Sequence, residues 1–165
     1  MKRIELPVLA LAVALHMLPR PFGVSSVGAT ALYAGAYGDR RRSWLIVGIP
    51  LTLGLLVTGL YEPLVFAFVF LGFALSTLAG RLLARRQSPS RFAAAIVLGA
   101  STFYLVSNIS VWLVYFPQSR AGLLECYVAG LPYLGVSILA DGVYAAVLFG
   151  AHHAVRLRLE AGVAT

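Results

Sequence analysis

The sequence predicts an all-α integral membrane protein: a six-transmembrane-helix bundle with a short extra outer or re-entrant helix between spans five and six, and both termini cytoplasmic. Three observations carry this. The 165 residues are 60% hydrophobic and 12% charged, with a mean hydropathy of +0.87, whereas about a quarter of a soluble domain is charged. Eleven of the 13 Lys and Arg residues fall in four clusters: Lys2/Arg3, Arg40/Arg41/Arg42, Arg81/Arg85/Arg86/Arg91 and Arg156/Arg158. Each gap between successive clusters holds two apolar segments. Short loops rich in Lys and Arg stay on the cytoplasmic side, so each gap is an out-and-back pair of helices within one membrane domain, residues 1–165. Only Arg20 and Arg120 are left for the outer face.

The elements follow in order. Spans one (4–18) and two (25–37) are short: at 1.5 Å per residue they reach about 20 to 23 Å, against a hydrocarbon core of about 30 Å. The stretch joining them must then dip into the outer half of the bilayer, where irregular backbone survives only if protein buries it or a wet cavity lies beside it. The charged start followed by apolar residues 6–18 resembles a signal peptide. Pro19-Arg20-Pro21-Phe22 follows directly in place of a small-x-small cleavage site, so retention is expected.

Span three (44–60) turns at Tyr61-Glu62-Pro63 into span four (64–80), making the two antiparallel neighbours. Span five (92–116) is long enough to cross with tilt and stops at Pro117, which cannot continue the ladder. The apolar run 121–131 is too short to span and lies between Arg120 and Pro132, which gives the extra outer helix. Span six (134–155) ends at Arg156 and Arg158.

Several classes of function are disfavoured. The net charge of +7 is not gathered on one face, as a nucleic-acid surface requires, but sits at the ends of apolar runs. The single Cys126 forbids an internal disulfide, and His16, His152 and His153 have no zinc-site spacing, so neither metal nor cofactor is expected. Lys2 is the only lysine, which excludes a phosphate-binding loop. No metalloprotease or serine-nucleophile signature is present, so an enzyme is not expected.

Two constellations inside the spans could carry function. On span five, Ser101, Tyr104, Asn108, Trp112 and Tyr115 recur at intervals of three and four and share one helical face. They form either a ligand-binding wall or a set of interhelical bonds ending in the interfacial aromatic belt. On span six, Asp141 has Ser137 one turn before it and Tyr144 one turn after. A carboxylate at that depth is costly and marks a functional site or a buried hydrogen bond.

The outer turns add Arg20, Phe22, Glu125 and Tyr127 as a rim able to close over a small molecule. Cys126 reads as a small apolar filler. Ala10 and Ala14 on span one, and the small residues of span two, permit close helix contact, either internal or with another subunit.

The segments Arg20-Pro-Phe-Gly-Val-Ser-Ser-Val-Gly-Ala29, Asn108-Ile-Ser-Val-Trp112 with Tyr115, Ala121-Gly-Leu-Leu-Glu-Cys-Tyr127 with Leu131-Pro132, and Asp141 resemble a family of small six-span bacterial membrane proteins of unassigned function. More distantly, in size, topology and pocket placement, the chain resembles the substrate-binding S components of energy-coupling factor transporters, which capture vitamins or other micronutrients on the outer side.

That resemblance implies a bacterial cytoplasmic membrane location, a small-molecule substrate, and a transmembrane coupling subunit with cytosolic ATPases, docked through Ala10 and Ala14. The expected pocket is walled by spans one, five and six. Asn108 and Asp141 would orient polar ligand groups, with Tyr144 beside them. Trp112 and Tyr115 would stack on the ligand, and Phe22 and Tyr127 would cover it. Cobalamin is one candidate solute among many. The alternative is a structural or assembly subunit of a larger membrane complex.

Overall fold

A computed structural model describes residues 5–17, 24–38, 43–58 and 62–163. These residues form six α-helices and no strand: α1 (Glu5–Met17), α2 (Val27–Tyr37), α3 (Ser43–Thr58), α4 (Pro63–Arg85), α5 (Pro89–Tyr115) and α6 (Arg120–Val163). Three of them, α4, α5 and α6, are long and apolar enough to cross a bilayer. Their outward faces carry exposed large apolar side chains, among them Leu71, Leu98, Leu105, Leu139 and Val143, the surface that a hydrocarbon solvent calls for.

The short α2 is the centre of the bundle, with Val27 through Ala34 all buried. Its small residues make that possible. A Cβ at Gly35 would run into the Thr77 carbonyl oxygen of α4, and one at Gly80 into the Leu32 carbonyl oxygen of α2, so these two helices cross backbone to backbone. Val27, Ala31 and Ala34 then meet Phe73 of α4 with Ile46, Val47 and Leu51 of α3, while Ala29, Leu32 and Tyr33 join Val8, Leu148 and Phe149.

One end of the bundle is marked by contacts that join distant parts of the chain. Tyr37 at the end of α2 accepts a hydrogen bond from Gln87 of the α4–α5 turn and stacks on His152 of α6, and Phe92 packs edge-on against Phe149. The Ser43 hydroxyl at the start of α3 donates to the Ala34 carbonyl there. Arg81, Arg86, Arg91, Arg156 and Arg158 are exposed at this end, so two of the four basic clusters gather on one side of the fold, and the other two lie outside the described residues.

The expected separation of an outer helix, 121–131, from span six is corrected: both belong to the single 44-residue α6, with Pro132 inside it. A proline removes one N–H from the ladder, here the bond to the Val128 carbonyl, and membrane helices absorb that loss when neighbours support them. Support comes from α5, against which Cys126 and Gly130 are buried one turn apart: the Cys126 thiol donates to the Asn108 carbonyl, and a Cβ on Gly130 would meet Asn108 and Tyr104. At 1.5 Å per residue the 44 residues of α6 extend about 66 Å, twice the hydrocarbon thickness. Its last eleven residues, 153–163, overhang the end where Phe92 meets Phe149. There Arg156 and Glu160 form an exposed ion pair of 2.7 Å.

Candidate functional site

A cavity of about 130 Å³ opens between α5 and α6. Phe103, Tyr104, Ser107 and Asn108 line it from α5, and Gly130, Tyr133, Leu134 and Ser137 from α6. Gly130 lets the walls approach: a Cβ there would lie 2.9 Å from both the Asn108 Oδ1 and the Tyr104 ring.

The polar atoms around this cavity divide into two sets. Some are already spent on the protein. Tyr104 donates its hydroxyl to the Tyr127 carbonyl, and Tyr127 donates its own to the Leu105 carbonyl at 2.7 Å, with the two rings edge-on at 5.6 Å. Asn108 Nδ2 donates to the Tyr104 carbonyl at 2.8 Å, and the buried Cys126 thiol donates to the Asn108 carbonyl at 3.5 Å. Others are left over. The Ser107 and Ser137 hydroxyls have no hydrogen-bond partner among the described residues, and the Asn108 amide has a second N–H besides the one given to Tyr104.

Asp141 lies one turn beyond Ser137 and outside this lining. It is buried, at 5% exposure, with its carboxylate turned to the start of α2: it accepts the Ala29 backbone N–H, and a Cβ on Gly28 would collide with both its oxygens. The first turn of a helix has N–H groups without intrahelical partners and a positive end of the macrodipole. The Ser25 hydroxyl accepts the Val27 N–H at 3.2 Å, while Ser26 in the cap position makes no side-chain cap, so α6 supplies the acceptor for Ala29 from across the bundle. Tyr144, one turn further on, is partly buried against the core around Tyr33 and Phe149.

The remaining expected contacts are dispersed. The Trp112 indole N–H donates to the Pro117 carbonyl at 3.0 Å, closing the end of α5. Tyr115 is 62% exposed and Glu125 is exposed on α6. Arg20 and Phe22 lie outside the described residues. The expected wall of spans one, five and six is corrected, because α1 packs on α2, α3 and α6 and makes no contact with α5 among the described residues. Its small α2 neighbour takes the interior place, leaving Ala10 and Ala14 exposed on the outer face of α1.

A second polar cluster escaped sequence reasoning. The buried Tyr33 hydroxyl lies 2.8 Å from His152 Nδ1, and the Tyr37 ring stacks on the His152 ring at 3.8 Å and 11°. The available signal was the pairing of Tyr33 and Tyr37 one turn apart on α2 with Phe149 and His152 one turn apart on α6. Among the described residues no group of three or more His, Cys, Asp or Glu is placed to hold a metal ion.

Three long apolar helices around a buried small-residue helix, with a cavity of uncharged lining between two of them, define the chain as an all-helical membrane protein. It belongs to the family of unknown function DUF6580, which matches residues 3–162. No curated protein and no solved structure matches it.

Proposed function

We propose that the protein is an S-component-like membrane protein of the bacterial cytoplasmic membrane that binds a small solute, a vitamin or other micronutrient, for uptake. The observation that carries this reading is the α5–α6 cavity, where unspent hydroxyls and an amide face apolar and aromatic walls at membrane depth. Polar groups in a membrane segment are expensive unless something uses them. In this reading both termini and the basic clusters are cytoplasmic and the helices cross six times. Phe103 to Asn108 lie about 21 to 28 Å along α5 from its basic end, which puts the cavity toward the outer half. The exposed Ala10/Ala14 face of α1 is the docking surface for a coupling subunit with cytosolic ATPases.

The test is purification of the full chain from its native membrane, with untargeted mass spectrometry of co-purified small molecules and of co-purified subunits. A stoichiometric solute present with wild type and depleted at least about tenfold by Asn108→Ala is the expected result, since loss of one good polar contact is worth about that factor. Folded protein without any solute, recovered with an unrelated complex, would favour the alternative of a structural or assembly subunit. That second reading has its own support: Asp141, Tyr104, Tyr127 and Trp112 all spend polar atoms on backbone groups within the fold.

A further inference from the structure

The size and chemistry of the α5–α6 cavity narrow what it can hold. A dry protein cavity of about 150 Å³ accepts benzene, and clefts for drug-sized ligands begin at about 300 Å³. At about 130 Å³ the cavity takes no more than one ring, and because it is open on one side the ring's substituents can lie in its mouth. A corrinoid is far too large.

Charge is the second constraint. The described lining contains no Asp, Glu, Lys, Arg or His. The nearest carboxylate along α6 is Asp141, and its oxygens are held against Gly28 and the Ala29 N–H. A charged ligand would therefore shed water without gaining a counter-charge from these walls, which is costly at membrane depth. The polar atoms that remain, two hydroxyls and one amide N–H, are suited to neutral hydrogen-bonding groups, and Phe103 and Tyr133 make the walls aromatic.

We infer that the cavity takes an uncharged single-ring molecule bearing one or two hydrogen-bonding groups, of the class of aromatic amides and alcohols. The inference rests on the reading of this cavity as a solute site. It adds the chemical class.

The probes are benzamide, its charged isostere benzoate, and the two-ring 2-naphthamide, measured by equilibrium binding to the full chain in lipid nanodiscs. Ser137→Phe fills the cavity, with Ser137→Leu as a milder filling; circular dichroism and elution volume report the fold of each. Saturable benzamide binding is expected, weakened at least about tenfold by whichever filling variant folds. Benzoate should bind roughly 100-fold more weakly, the ratio that a charge placed among uncharged groups at membrane depth implies. Naphthamide should lose at least about tenfold by size alone.

Benzoate or naphthamide binding as well as benzamide, and lost on filling, would overturn the inference while leaving a solute site in place. Benzamide binding that survives both fillings, or no saturable binding of any probe, would also overturn it. So would a lipid acyl chain found as the occupant and displaced by filling. The uptake reading is then decided separately by the search for co-purified solute.

Discussion

Two polar places on α6 lie one turn apart and behave oppositely. At Asp141 the surroundings leave no room: the carboxylate is buried, turned to the Ala29 backbone N–H, and only a glycine fits opposite. At Ser137 the hydroxyl faces a cavity with Ser107 and Asn108 and has no partner among the described residues. Both residues are polar in an apolar helix, and the ionisable one is the stronger functional marker by cost alone. The difference teaches that cost is not the discriminating quantity. What matters is whether the polar group faces packed backbone, as at Gly28, or an open cavity. By that measure Asp141 reads as architecture, and the proposed site is the seryl pair with Asn108.

The most direct way to break this comparison is Asp141→Ala. If the Asp141 side chain helps cap α2, its loss leaves the buried Ala29 N–H unpaired and should destabilise the fold by about 2–3 kcal/mol, the upper part of the penalty for a buried donor left without a partner. Asp141→Asn, which keeps an acceptor oxygen, should lose roughly half as much. Solute binding by the folded fraction should be unchanged in both. Reversible denaturation in mixed micelles, paired with binding, reads both quantities. A variant of full stability that no longer binds would return Asp141 to the site.

Gly28→Ala sharpens the same point from the other helix. Its Cβ would meet the Asp141 oxygens, and overpacking of this kind costs about 2 kcal/mol. In the Asp141→Ala background the space is vacant, so the same substitution should cost under about 0.5 kcal/mol, and the two changes should be strongly non-additive. Equal costs in the two backgrounds would mean that the carboxylate does not sit where α2 begins.

Some of this was legible in the sequence and some was not, for physical reasons. The apolar runs, the stop at Pro117, and the shared face of Tyr104 and Asn108 on α5 follow from local periodicity, and the cavity uses two residues of that face. The partner of Asp141 was hidden because it is a backbone N–H, which every residue but proline carries and no side chain advertises. The continuity of α6 through Pro132 was hidden because it depends on packing: Cys126 and Gly130 lie against Asn108 of α5, and one missing N–H does not undo that contact. The link between Tyr33 and His152 joins helices far apart in the chain, beyond the reach of any local window.

The smallest expected effect belongs to Tyr127→Phe. Tyr127 stood among the expected ligand contacts, yet its hydroxyl donates to the Leu105 carbonyl, away from the cavity lining. That carbonyl lies inside α5 and already accepts the N–H four residues on, so removing the hydroxyl strands no buried group. Interhelical side-chain bonds in membrane proteins average about 0.6 kcal/mol, and a loss of that size is expected here. The ring stays, and with it the edge-on contact to Tyr104 at 5.6 Å that holds one wall of the cavity. Solute affinity should therefore change by less than about threefold. A loss of tenfold or more with stability intact would show that Tyr127 does reach the ligand, and that the boundary between spent and unspent polar groups runs through the Tyr104–Tyr127 pair instead of between Asp141 and Ser137.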